Sequence, residues 1–559
     1  MTTKLLPRPF SPMEPNGVPQ SLSLFARAAQ LAAILVLLAC PYAFAQDLPP
    51  GHPPVPGAEA PAVPAGDAKP AEAKPADAQP AATKPSASPL PAASTTHHTI
   101  TIAGTPLSYT AEAATVALPS AGGKPAAEIF YVAYTRDPLN TKRPITFVFN
   151  GGPGAAAAYL HLGGIGPRAL AVTDKGELIG PPPRLVDNPS TWLDMTDLVF
   201  VDPVGTGYSR TSEGKDEDKF WGVEQDTDAL SDFVRLYLIK SARMLSPVFL
   251  MGESYGGFRA AALARALQKS GANSPSGIVM ISPVLEFSLL NGEDYDPLSW
   301  ALELPSLVAV NLESNGITGR AELGAALKDV EHYALSDYLV ELASGAESGS
   351  KAASGTVARL TGLPAELVER HQARISPNLF IKEFDRTHAQ VLSRYDGSVR
   401  GPDPNPASSW PTGPDPVLDA TVPLWTAAFV QYAGSELGYK TDASYRLLNR
   451  DVRSKWDFGT SPTHQGYAGV VADLQDARAA NPALQILIAG GYTDLITPYL
   501  SSAYLVNQLP ALPSAAPIRT ETYAGGHMLY LRPPSREALK EDVKAMYDRA
   551  FKAASWPEG

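Results

Sequence analysis

The sequence predicts an α/β fold with a mostly parallel central sheet, flanking helices and a mainly helical cap insertion. Three observations carry this expectation. Short continuous apolar runs recur at 144–150, 198–201, 248–251, 278–281 and 484–489, the signature of strands buried on both faces. A helical pattern at "QDTDALSDFVRLYLIK", apolar at Leu230, Phe233, Leu236 and Leu238, separates two of these runs. Strand, helix and strand in succession imply parallel strands joined by crossovers. From 291 to 420 no such run occurs, and helix formers and loop residues take over.

In chain order, residues 1–45 read as a signal peptide. Lys4, Arg8 and Arg27 precede an apolar run at 31–39, and Ala43-Phe44-Ala45 follows it, so cleavage is expected after Ala45. Pro41 interrupts the run, which is shorter than the roughly 20 apolar residues a bilayer span requires. Leu37-Leu38-Ala39-Cys40 leaves a lipid anchor at Cys40 open as an alternative, and an uncleaved anchor is a third. Residues 46–96 are dominated by Pro and Ala, as in "AKPAEAKPADAQPAATKP". They hold too little apolar area to offset ordering entropy and read as a disordered tether.

The folded part is then divided into a first core segment at 97–290, the cap at 291–420, and a second core segment at 421–559. "HHTITIAGTPLSYTAEAATVAL" alternates and is rich in β-branched residues, predicting a hairpin-like start, and 129–134 reads as a further strand. "IRTETYA" predicts a late strand and "SREALKEDVKAMYDRAFKAA" a closing helix.

Composition sets outer bounds. The chain has 559 residues, a formal charge of −12 and a pI near 5.3, which argues against a nucleic-acid binder. Cys40 is the single cysteine, so neither an intramolecular disulfide nor a cysteine zinc site can form. No metal or organic cofactor is indicated.

The chemistry lies just past the apolar runs. Gly252-Glu253-Ser254-Tyr255-Gly256 fits G-x-S-x-G between a strand and a helix-like stretch. A tight turn there exposes the serine hydroxyl at the carboxyl end of the sheet, and the helix N-terminus favours developing negative charge. A serine needs a base. His527, in Gly525-Gly526-His527-Met528, follows the last expected strand, and Asp494 follows the strand ending near Ala489. The order Ser, acid, His suits an aspartate that fixes the imidazole tautomer. Asn150-Gly151-Gly152-Pro153-Gly154 follows another strand, and its glycines let backbone N–H groups approach a substrate oxygen.

Taken together, "FNGGPG", "GIGPRAL", "VDPVGTGYS", "GESYGG", "DLITP" and "GGHM" resemble the serine carboxypeptidase family. The resemblance implies an α/β-hydrolase fold and Ser254, Asp494 and His527 as catalytic triad. It implies the N–H groups of Gly152 and Tyr255 as the oxyanion hole. Asn150, Gly151 and Glu253 then form the substrate side, with Asn150 and Glu253 at the substrate's C-terminal carboxylate. Two departures stand out: Val148 replaces the family's usual tryptophan, and Gly164 replaces a second glutamate. Without that partner, Glu253 is expected to ionise more readily and repel a carboxylate.

Three functions follow from this reading. The first is an exported peptidase, periplasmic or extracellular and not inserted in the membrane after cleavage, that releases C-terminal residues through an acyl-enzyme. The second is an esterase, amidase or acyltransferase on peptide or small acyl substrates without a free carboxylate. The third is a non-catalytic envelope binding protein.

Overall fold

A computed structural model of the chain describes residues 90–120, 125–211, 216–290, 295–459 and 468–553. The expected signal peptide, the lipid-anchor alternative at Cys40 and the expected tether up to residue 89 lie outside the described residues. The sheet is built from β1 (Ser94–Ile102), β2 (Thr105–Leu118), β3 (Ala127–Arg136), β4 (Ile145–Phe149), β5 (Asp197–Val201), β6 (Val248–Glu253), β7 (Gly277–Ile281), β8 (Gln485–Gly491) and β9 (Ile518–Tyr523). Their spatial order is β1-β2-β3-β5-β4-β6-β7-β8-β9, with the short strand Arg210–Thr211 also pairing β3.

From β5 across to β9 every pairing is parallel. The first three strands form an antiparallel meander that joins the same sheet through β3 and β5. The strand β1 takes in residues 94–96, assigned to the tether on composition; their backbones pair with residues 111–113 of β2.

Alternation within each parallel strand explains the apolar runs. Phe249 and Met251 of β6 face one core cluster, while Val248 and Leu250 face the other. Val279 and Ile281 of β7, and Leu487 and Ala489 of β8, likewise face the first, with Ile278, Met280, Ile486 and Ile488 on the second. Both faces are covered, so period-two patterning gives way to continuous hydrophobicity. The second face carries α1 (Val223–Lys240) and α2 (Tyr255–Lys269), whose Phe233, Val234, Ala261 and Leu263 are fully buried.

Residues 297–392 are mainly helical, beginning with α3 (Pro297–Ser314) and α4 (Arg320–Tyr333), and enclose their own core. That core reaches Tyr492, Leu495, Tyr499 and Leu500. Two short strands, Gln390–Leu392 and Arg400–Pro402, pair there as an antiparallel ribbon. Three residues each are too few to leave a periodic signal in the sequence. No helix among the described residues is long and apolar enough to cross a membrane.

The amino end of the parallel sheet is pinned by Asp197 at the start of β5. Its carboxylate accepts from the Arg136 N–H at 3.1 Å, Arg143 Nε at 2.9 Å and Arg243 Nη1 at 2.7 Å. Asp197 and Arg243 are almost wholly buried. Asp197→Ala leaves buried cations uncompensated and is expected to cost about 3–5 kcal/mol. A urea unfolding midpoint that hardly moves would contradict this.

Candidate active site

The turn after β6 is the most constrained backbone of the site. Ser254 sits at φ 60° and ψ −126° as the residue capping α2, a sparsely populated region that costs on the order of 1–3 kcal/mol and persists only where surroundings enforce it. Its N–H donates to the Ile281 carbonyl at 2.8 Å, tying the turn to β7. Glycine is required on both sides of the turn. A Cβ at Gly252 would collide with the Gly256 carbonyl, and one at Gly151 would lie 2.6 Å from the Tyr255 nitrogen. Asn150 and the glycines after β4 therefore lie directly against the serine turn.

Asp494 and His527 meet across the loops after β8 and β9. Asp494 Oδ2 accepts from His527 Nδ1 at 2.9 Å, and both side chains are almost completely buried. Asp494 Oδ1 accepts the N–H groups of Ile496 and Thr497 at 2.8 and 3.0 Å. The bond at Nδ1 assigns the proton to that nitrogen and leaves the Nε2 lone pair free. Burial lowers the His527 pKa, but the Asp494 charge opposes it and prevails, so the imidazole ends above its usual 6.5.

Ser254 and His527 line one cavity of about 680 Å³, together with Asn150, Gly151, Gly152, Glu253 and Tyr255. The Ser254 hydroxyl forms no hydrogen bond among the described residues and is partly exposed to this cavity. Of the sequence-predicted site residues, all but Asp494 line this one concavity. Asp494 stands behind His527 rather than on the wall. The carboxyl ends of four parallel strands supply these residues, the usual place for ligands in such sheets.

Gly152, at φ +104°, and Tyr255, in the first turn of α2, line the cavity. First-turn N–H groups lack intrahelical acceptors and are free to receive an oxyanion.

Glu253 differs from expectation. Burial pushes its carboxyl up to about 7, outweighing the lowering effects of His527 and of hydrogen bonds from Tyr530 and Asn150. Despite the loss of a glutamate at position 164, burial keeps Glu253 protonated below about pH 7, and it ionises above that. Tyr530 Oη donates to Glu253 Oε2 at 2.8 Å, and Asn150 Nδ2 donates to the same oxygen. The glycines at 163 and 164 make room for this arrangement: a Cβ at Gly163 would lie 2.5 Å from the Tyr530 ring. Arg536 packs against Gly164 in the same way. Val148 is fully buried in the sheet core and does not line the cavity.

Several residues without a sequence-assigned role support the site. Thr497 Oγ1 lies 2.7 Å from Asp494 Oδ2 and 2.9 Å from the Ser282 carbonyl. Its place three residues after Asp494 is a signal, since such hydroxyls commonly cap a turn aspartate. Tyr395, from the insertion, accepts the backbone N–H of His527 on its carbonyl at 2.6 Å and sets its ring edge-on to the imidazole. Asp396 accepts the Gly526 N–H at 3.2 Å and is held by Arg532 at 3.0 Å. Arg259 of α2 bonds Asp226 and the Asn150 carbonyl, each at 2.6 Å, beneath the Tyr255 ring. No local pattern announces these long-range partners. Among the described residues no cluster of acidic, histidine or cysteine side chains fits a metal.

Comparison with known proteins gives matches over parts of the chain. Residues 120–281 match the serine carboxypeptidase family model. Serine carboxypeptidase-like 51 of Arabidopsis thaliana is 31% identical over 217 residues, 37% of this chain and 42% of its own length. Serine carboxypeptidase-like 35 of the same plant is 28% identical over 131 residues, 23% of this chain and 26% of its own length. The chain therefore spans less than half of either plant relative. Among solved structures, Kex1Δp, a prohormone-processing carboxypeptidase from Saccharomyces cerevisiae, aligns at 15% identity and a TM-score of 0.48, covering 78% of this chain and 91% of that one.

Thr497→Val removes a hydroxyl from the Asp494 carboxylate. A hydrogen bond to a charged group is worth about 1.5–3 kcal/mol, so kcat/KM is expected to fall roughly 10- to 100-fold, with unfolding still cooperative. Unchanged kinetics would remove Thr497 from the site.

Proposed function

Taking the chain as a serine hydrolase of the serine carboxypeptidase kind, we propose an exported peptidase that removes C-terminal residues through an acyl-enzyme. The observation that carries this reading is the buried Asp494–His527 pair at the cavity where Ser254 occupies its strained turn. Ser254 Oγ attacks the scissile carbonyl while His527 Nε2 takes its proton, and Asp494 stabilises the resulting imidazolium. The oxyanion accepts from the N–H groups of Gly152 and Tyr255. Collapse expels the amine, protonated by His527; water then repeats the sequence and frees Ser254.

Glu253 and Asn150 form the carboxylate side of this reading. A neutral Glu253 can stand beside a substrate carboxylate without repulsion, which requires a pH below about 7. Export is supported by the basic, apolar and A-x-A segments of the N-terminus.

A second reading keeps the triad and moves the substrate to esters or amides lacking a free carboxylate. The hydrogen bond by which Asn150 and Glu253 occupy each other favours it. Matched peptides with free and amidated C-termini separate the two: a peptidase of this type cleaves the free acid preferentially, and equal rates would exclude exopeptidase action.

Ser254→Ala is expected to lower kcat by roughly 10⁶-fold; retained turnover would reject the assignment. For the wild type, kcat/KM should fall as pH drops through the raised pKa of His527, because the base must be neutral. Asp494→Asn removes the charge that raises this pKa, so the acid limb should move to lower pH while the rate falls by roughly 10⁴-fold. An acid limb unmoved by that change would exclude His527 as the base. For free-acid peptides, KM should rise as pH passes about 7 and Glu253 ionises.

A further inference from the structure

A short stretch of the insertion, 394–397, runs against the loops of both Asp494 and His527. The Leu495 N–H donates to the Arg394 carbonyl at 3.0 Å, the backbone N–H of His527 to the Tyr395 carbonyl at 2.6 Å, and the Gly397 N–H to the Thr493 carbonyl at 2.9 Å. The approach leaves no room for a side chain. A Cβ at Gly526 would lie 2.1 Å from the Tyr395 carbonyl oxygen and 2.5 Å from the Asp396 Cα.

The Asp396 side chain ties the two loops to each other. Its Oδ1 accepts from Thr493 Oγ1 at 2.7 Å, and its Oδ2 accepts from the Gly526 N–H at 3.2 Å. Thr493 immediately precedes Asp494, and Gly526 immediately precedes His527. One carboxylate therefore grips both loops next to the acid and the base. That carboxylate is itself held. Oδ1 accepts the Ser398 N–H at 3.1 Å and the Ser398 hydroxyl at 2.7 Å. Arg532 Nη2 lies 3.0 Å from Oδ2 and 3.3 Å from Oδ1, and Arg532 also pairs with Glu313 of α3. Neither Asp396 nor Thr493 lines the catalytic cavity, so neither touches a substrate there.

We propose that Asp396 is a positioning residue, whose carboxylate, anchored by Arg532, clamps Thr493 and Gly526 so that Asp494 and His527 stay in hydrogen-bonding register. This rests on Asp494 and His527 being the acid and base of the proposed hydrolase. The clamp acts on geometry and not on binding. Loosening it lengthens the bond between Asp494 and His527, which weakens at once the orientation of Nε2 and the support of the imidazolium.

The test follows hydrolysis of p-nitrophenyl butyrate, an ester without a carboxylate. Asp396→Asn cannot accept from Thr493, Gly526 and Arg532 together. It is expected to lower kcat about 100-fold, with KM within about twofold of the wild type. Thr493→Val keeps the shape and removes only a neutral hydroxyl, so kcat should fall about tenfold. The acid limb of kcat/KM should also move to lower pH, because a looser Asp494 raises the His527 pKa less. Thr493→Ser, which brings the hydroxyl back, should restore both. A merely structural role would reduce the active fraction without moving the limb. Wild-type kcat and limb in Thr493→Val, a loss shared equally by Thr493→Ser, or a rise in KM at constant kcat would overturn the clamp. An enzyme that neither hydrolyses the ester nor is labelled at Ser254 by an organophosphonate would instead refute the proposed function. An NMR titration of the His527 imidazole then decides the clamp: its pKa should fall in Thr493→Val and return in Thr493→Ser, and an unmoved pKa would overturn it.

Discussion

The hydrogen bond between Asp494 and His527 is the constraint on which the arrangement of the site rests. It joins loops after two different strands, in a place where neither partner is exposed to water. A carboxylate there is tolerable because its second oxygen accepts two backbone N–H groups and its first is approached by Thr497. An imidazole there is tolerable because the carboxylate faces it. Each half would be costly alone, so the two loops are locked together, and with them the direction of Nε2. The serine turn is locked by a different device, a disfavoured backbone conformation held between β6, β7 and α2.

Much of the scaffold was legible because burial on both faces imposes a coarse pattern. The runs at 144–150, 198–201, 248–251, 278–281 and 484–489 all became strands of the parallel sheet. The hairpin of β1 and β2 was legible as strands, but not its membership in that sheet, which depends on β3 pairing with β5 some sixty residues later. The short ribbon at 390–402 left no signal. Ser254, Asp494 and His527 stood out through glycine-rich turns that end core strands. Tyr530, Tyr395 and Arg259 did not, since each acts through contacts with distant segments. Tyr530 and Glu253, for example, are 277 positions apart.

The departures from the serine carboxypeptidase pattern illustrate how an environment can stand in for a missing residue. A second carboxyl group is one way to keep Glu253 protonated. Enclosure is another, and here a phenol, an amide and the surrounding apolar packing provide it. Counting matched residues leads to the expectation of a readily ionised Glu253, whereas burial raises its carboxyl to about 7.

The stretch around Tyr395 belongs by sequence to the insertion, yet its carbonyls and N–H groups bond the loops of Leu495, Thr493 and His527 directly. Tyr395 also faces the cavity. One strip of backbone therefore both borders the cavity and holds the loops that carry Asp494 and His527. The insertion is not a detachable module, and grafting it from a relative to change substrate range would also reset the alignment of the base.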